Sequence, residues 1–307
     1  MTNTSKKSLG SQIMKHKSVY LMMAPSIILT LVLSIYPIFW VARYMFYTYD
    51  KLHDPIFVGL ENFARIMKDQ FFWRTVKNTF VYAIGKLVFT IPISFIVAVL
   101  LNKKFRGSNL CKIIIFVPTI MSAAVMSLVW YLVLNVNSGA VNQVLRYFGI
   151  INKPINWLGH QNAMKTVIMV GIWGAIGNYM TYFMAGLQSV SEEIYESAEL
   201  EGINPLQKLW YITIPMIAPA MKTVLLLAIT GSFRDIDSIM VLTEGGPAGT
   251  TMVMYLYLYQ MFFPVNAATS STSQYGYGAA VAVVCSAIMG VITFIYLRVT
   301  KKLDELY

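Results

Sequence analysis

Six stretches of this 307-residue chain are apolar for a bilayer's width: roughly 19–47, 76–102, 111–134, 164–189, 216–242 and 276–299. A hydrocarbon core about 30 Å thick is crossed by about 20 mainly apolar helical residues. Inside it each backbone polar group must be satisfied within the segment, so such stretches are expected to be helices. Charged residues are only 12% of the chain, hydrophobic ones 57%, where soluble domains average about 25% charged. The mean hydropathy of +0.59 agrees. The expectation is an all-α integral membrane protein of six transmembrane helices, with no room for a separate soluble domain.

The net charge of +10 could indicate nucleic acid, but its placement argues for topology instead. Lys6, Lys7, Lys15 and Lys17 precede the first span. Lys103, Lys104, Arg106 and Lys112 bracket the second connection, and Arg298, Lys301 and Lys302 follow the sixth span. With six spans these clusters share one side, which the positive-inside bias makes cytoplasmic. Both termini are expected inside, and no nucleic-acid partner is. The apolar stretch after Tyr20 is too long for a signal-peptide core and reads as a retained span. Cys111 and Cys285 read as small core residues rather than a disulfide or metal pair.

Between the fourth and fifth apolar stretches lies the polar run Tyr195-Glu196-Ser197-Ala198-Glu199-Leu200-Glu201-Gly202, continuing to Ile212-Thr213-Ile214-Pro215. Ser191 is a candidate N-cap, and the acids that follow suit a positive helix end. Gly202 is placed to end that helix, and Asn204-Pro205 to start a second. A helix–turn–helix elbow too polar for hydrocarbon is expected, on the same side as the basic clusters. Glu196-Ser197-Ala198, Glu201-Gly202 and Ile212, Ile214, Pro215 resemble the "EAA" loop of bacterial ABC importer permeases, with Ser197 and Ile214 replacing residues of similar size. Leu242-Thr243-Glu244-Gly245-Gly246-Pro247, the downstream Thr250 and Thr251, and Tyr275-Gly276-Tyr277-Gly278 resemble the carbohydrate (maltose and glycerol-phosphate) subgroup.

The resemblance implies the type I importer fold and a bacterial cytoplasmic-membrane location. Its implied partners are a second related permease, two ATPase subunits and an extracytoplasmic solute-binding protein. It implies ATPase coupling through Glu196, Ser197, Ala198, Glu201, Gly202 and Pro215. It also implies a carbohydrate path past Asn178, Ser232 and Asp235, with an aspartate at 235 where the family pattern has a neutral amide. Tyr182, four residues from Asn178, shares its helix face and joins the path by spacing. Asp237 joins it as a mid-membrane charge that either meets the ligand or pairs with Arg234. On this reading residues 1–17 are a basic tail, and 18–75 hold the first span and an external amphipathic helix. Residues 76–299 form a five-helix core containing the coupling loop 191–215, and 300–307 a second tail.

Other residues carry separate expectations. Phe63, Ile66, Met67 and Phe71 recur at helical spacing opposite Glu61, Arg65, Lys68 and Asp69, as in an interfacial helix anchored by Trp73. Pro25 and Pro37 should kink span one. Residues 135–163 look like external loop. Glycines in 164–189 invite close helix approach. Lys86, near the external end of its span, is expected to snorkel to the interface. Arg234, Asp235 and Asp237 at mid-membrane depth are the chain's least lipid-compatible group; Arg234 and Asp237, three apart, could pair along a helix.

No phosphate-binding Gly-x-x-x-x-Gly-Lys-Ser/Thr loop is present, and His16, His53 and His160 are scattered. No cofactor of its own is expected, ATP and magnesium belonging to the partner ATPases, and no catalysis. The alternatives are a permease for glycerol phosphate or another small polar solute, or a secondary transporter, which would usually show paired inverted halves.

Overall fold

The computed structural model describes residues 17–50, 52–103, 105–263 and 274–304. The basic tail before Lys17, the polar loop 269–273 and the tail beyond 304 lie outside them. Among the described residues, four helical stretches are long and apolar enough to cross a bilayer, or up to six if two sharply bent pairs each count as one span. The chain divides into two compact units, taken in turn: the described parts of 1–67 with 261–283, and 68–260 with 284–307.

The first unit opens with α1 (Lys17–Thr30), a π-helical stretch at Leu31–Ile35 and α2 (Tyr36–Ala42). The widened turn ends two residues before Pro37, which has no N–H for the ladder and crowds the carbonyl one turn back. The expected kink is thus a local rewinding. The two-residue strands β1 (Tyr47–Thr48) and β2 (Ile56–Phe57) pair antiparallel, Tyr47 opposite Phe57. α3 (Glu61–Lys68) buries Ile66 and Asn62, and Asn62 Nδ2 donates to the Met45 and Tyr47 carbonyls at 3.0 Å each.

The second unit carries the core. α4 (Gln70–Asn102) is one 33-residue helix. It begins at Asp69, whose carboxylate accepts from the Phe71 and Phe72 amides at 2.9 and 3.0 Å. Phe71 and Trp73 therefore belong to the long helix, and the interfacial helix stops at Lys68. The expected span 111–134 is two helices, α5 (Ser108–Ile120) and α6 (Ala123–Val133), bent by 99°. Ser122 starts the second, its hydroxyl accepting from the Val125 amide at 3.3 Å.

The supposed loop 135–163 contains α7 (Ala140–Tyr147). Asn142, buried on it, donates to the Val136 and Ile155 carbonyls (3.1 and 2.9 Å) and accepts from Ile155 N and Trp157 Nε1 (3.2 and 3.1 Å). One side chain thus closes the segment. Asn142→Ala is expected to cost about 2–4 kcal/mol, since each lost bond contributes about 1 kcal/mol and leaves a buried group unpaired. A lowered thermal midpoint of the purified protein would register it; an unchanged midpoint would refute it.

α8 (Ala163–Gln188) packs along α4 and against α5. The elbow follows as α9 (Glu192–Leu200) and α10 (Pro205–Lys208), a π-helical stretch at Leu209–Thr213 and the short α11 (Ile214–Met216). The chain then turns by 74° into α12 (Ala218–Phe233), which packs on α4 and α8. Here too a π turn ends two residues before a proline, Pro215. The expected span 216–242 is interrupted: α12 stops at Phe233, residues 234–236 are non-helical, and α13 (Asp237–Thr243) runs against α6. α14 (Met254–Phe262) and α15 (Tyr275–Asp304) complete the described elements.

Lipid and Leu side chains are equally apolar, so these helices associate by close packing and a few polar ties. A Cβ at Gly177 would lie 2.6 Å from the Ile115 carbonyl oxygen, and one at Gly186 2.7 Å from Ala220 Cβ. Ser94 and Thr119 hydroxyls donate to the Ile176 and Gly174 carbonyls at 3.1 Å. At the elbow end one apolar cluster joins α4, α8 and α12 through Leu101, Phe183, Leu187, Ile217 and Val224.

Candidate transport site

Two regions of the second unit carry the residues singled out by sequence: the elbow and a cavity between α4, α5, α6, α8 and the break after α12. In the elbow, the amides of Gly202 and Ile203 donate to the Glu199 and Ala198 carbonyls at 3.0 and 3.2 Å. That paired closure of a helix end needs a left-handed residue between them, and Gly202 supplies it at φ +75°. Asn204 then caps α10 reciprocally with Gln207: each side chain accepts from the other's amide, at 2.9 and 3.2 Å. Ser191 holds the N-cap position of α9, but its hydroxyl makes no capping bond.

Lys208 clips the two elbow helices together. Its ammonium donates to Glu199 Oε1 at 2.6 Å and stands 4.9 Å from the Tyr195 ring centroid. This bond holds the Glu199 carboxyl below its ordinary range, chiefly as a hydrogen bond and secondarily as a charge, so it is ionised at neutral pH. Ala198 is buried, with Glu196, Ser197, Glu201 and Gly202 exposed and Pro215 half-buried. Ser197, Ala198 and Glu201 line a groove of about 350 Å³ with Glu193, Ile203 and Ile212; Glu196, Gly202 and Pro215 are not among its lining residues. Around the bend, Leu200, Leu206, Trp210 and Tyr211 are 90%, 65%, 61% and 77% exposed. Exposed apolar side chains of this size, where they gather, mark a contact with protein or membrane.

The cavity, about 240 Å³, brings together Asn178 and Asp235 of the expected path, with Thr119, Ser238 and Lys86 also in its wall. Tyr182, Ser232 and Asp237 are not among its lining residues. Asn178 and Tyr182 are four apart on α8, yet only Asn178 reaches the wall. Ser232 is buried, and its hydroxyl has no hydrogen-bond partner. Asp237 is exposed at the first residue of α13.

Two charge expectations are corrected. Lys86 does not snorkel: it is 7% exposed, and Nζ lies 2.6 Å from Asp235 Oδ2. The Tyr82 hydroxyl donates to the same oxygen at 2.6 Å. Arg234 and Asp237 form no ion pair among the described residues, because the helix that would set them three apart on one face is broken at 234–236. Sequence reasoning missed Lys86 and Tyr82 because their partner is about 150 positions away. Lys208 could have been found, being one turn into the second elbow helix from a helix rich in acids. Among the described residues no cluster has metal-ligating composition.

Residues 90–305 match the family described as binding-protein-dependent transport system inner membrane component. The chain belongs to that family. The permease is 30% identical to a probable ABC transporter permease of Brucella suis biovar 1, over 93% of this chain and 97% of that one. It is also 30% identical to the lactose transport system permease protein LacF of Rhizobium radiobacter, over 92% and 94% of the two chains. Its fold matches a crystal structure of a bacterial ABC transporter involved in the import of the acidic polysaccharide alginate. The TM-score is 0.81 at 20% identity, covering 96% of this chain and 98% of that one.

Proposed function

We propose that the permease is one half of the membrane path of an ATP-driven carbohydrate importer in a bacterial cytoplasmic membrane. It spans the bilayer six times with both termini in the cytosol, beside a second, related permease. The elbow seats on one of two ATPase subunits, which hold ATP and magnesium and do all the chemistry. An extracytoplasmic binding protein delivers the solute. The observation that carries this reading is the elbow itself: two short helices locked at Gly202 and clipped by Lys208–Glu199, presenting an apolar rim where no lipid is expected.

Carbohydrate is favoured by the cavity wall, where an amide, two hydroxyls and a compensated ion pair offer donors and acceptors without net charge. It is also favoured by the likenesses, one to a lactose transport permease and one in fold to an importer of the acidic polysaccharide alginate. The test is to reconstitute the permease with its second permease, ATPases and binding protein, and to offer labelled di- and oligosaccharides. Uptake that requires ATP and the binding protein is the expected result. Uptake driven by an ion gradient without ATP would replace this reading with a secondary transporter.

A further inference from the structure

The Lys86–Asp235 pair, its side chains 9% and 15% exposed, is the more buried of the two ion pairs among the second unit's described residues, and nothing in the elbow or in general membrane packing requires it. An ion pair removed from water gains little over an apolar pair of the same volume, whereas separating its members leaves a costly uncompensated charge. Its place in the fold is specific. Lys86 and Tyr82 stand on the straight helix α4, whereas Asp235 stands in the non-helical break between α12 and α13. The break frees the backbone at 234–236 from a helical ladder, so side chains on α4 help to fix its position.

Space is made for this contact. A Cβ on Gly171 of α8 would lie 2.5 Å from the Tyr82 hydroxyl and 3.4 Å from Lys86 Cδ. Both charged groups also line the cavity, whose 240 Å³ falls below the ~300–1,000 Å³ of ordinary ligand sites. At its other end α12 begins at Ala218, immediately after the elbow's last turn, and is packed into the cluster of Leu101, Leu187, Ile217 and Val224. One helix therefore has the elbow at its first residue and Asp235 just past its last.

We propose that Lys86 is a positioning residue for transport: through Asp235 it latches the far end of α12 and keeps the cavity narrow until the elbow moves. This rests on the transport reading above. Elbow displacement pulls α12 and draws Asp235 off Lys86 and Tyr82. The break at 234–236 absorbs the motion, and the path widens for the solute. With the latch in place, the complex rests in its narrow state and hydrolyses ATP slowly without the loaded binding protein.

The test is ATP hydrolysis by the full reconstituted complex in lipid, with and without binding protein, for Lys86→Met, Lys86→Met with Asp235→Asn, Tyr82→Phe and Lys86→Arg. Lys86→Met is expected to raise the unstimulated rate at least about fivefold, the usual lower end of a coupling factor. The double variant removes the stranded charge but not the need for a latch. It is expected to melt like the wild type and still show the raised rate. Tyr82→Phe should raise the rate partway, and Lys86→Arg should keep it low. An unstimulated rate at the wild-type level in the normally assembled double variant would overturn the latch and leave the pair a packing feature. A double variant that fails to assemble would overturn it equally, since it would show the pair to be needed for folding. A wild-type complex that hydrolyses no ATP even with loaded binding protein would overturn the transport reading itself.

Discussion

Replacing Gly202 by proline is expected to abolish ATP-driven uptake while leaving the amount of permease in the membrane unchanged. Gly202 sits at φ +75°, and proline is fixed near −65° with no N–H to donate. The bond from Gly202 N to the Glu199 carbonyl is lost, and the chain cannot reverse where α9 ends. Strain of this kind costs about 1–3 kcal/mol locally. That is enough to splay α9 from α10, but it falls outside the apolar spans that set insertion. Uptake should fall at least tenfold, the change that about 1.4 kcal/mol makes in an equilibrium. Ala198→Asp should behave alike for a different reason, since it puts a carboxylate at a buried position of the same helix, where an uncompensated charge is costly. Retained uptake in both variants would remove the elbow from the coupling path.

The second large effect is expected at Gly177. A Cβ there would meet the Ile115 carbonyl at 2.6 Å, Thr119 Oγ1 at 2.7 Å and Phe116 Cα at 2.9 Å. Two of these are backbone atoms of α5 and cannot rotate away. Gly177→Leu therefore has to push α5 from α8, at the 1–3 kcal/mol or more that overpacking costs. It also stretches the Thr119–Gly174 bond at the cavity wall. The expected outcome is a lower thermal midpoint and loss of uptake together, in contrast to Gly202→Pro, where uptake is lost and the midpoint of the spans is kept. A midpoint and uptake equal to the wild type in Gly177→Leu would show that α5 and α8 do not approach as described.

How far the sequence told this in advance depends on the range of the interaction. The elbow was legible almost to the residue, because its determinants are local. Gly202 is needed for a left-handed cap, and Asn204-Pro205 with Gln207 forms a capping box within four residues. The breaks inside spans three and five were not legible, because hydropathy runs through Met121-Ser122 without a dip. At 234–236 the charges drew attention to themselves rather than to the backbone. Ser122 and Pro118 carried the bend's signal in retrospect.

The path residues divide the same way. Asn178 and Asp235 reach one cavity as expected. Ser232 is turned into the packed interior and Asp237 lies outside the wall, because the chain broken at 234–236 does not keep the face that residue spacing assumes; Tyr182, on the unbroken α8, is exposed away from the wall. Lys86 was misread for want of a partner no local pattern could supply. Snorkelling is a sound default for a lone lysine near a span's end, and only the fold puts Asp235 beside it.

The most direct measurement is water-soluble maleimide labelling of a single cysteine at Leu200, with Cys111 and Cys285 replaced by alanine. Leu200 is 90% exposed in the chain alone, so the separate permease should label fast. In the assembled complex the site should be protected, and the protection should change between the nucleotide-free and ATP-bound states. Equally fast labelling in the separate permease, the complex and the ATP-bound complex would contradict the account, because the elbow would then be touching nothing that moves it.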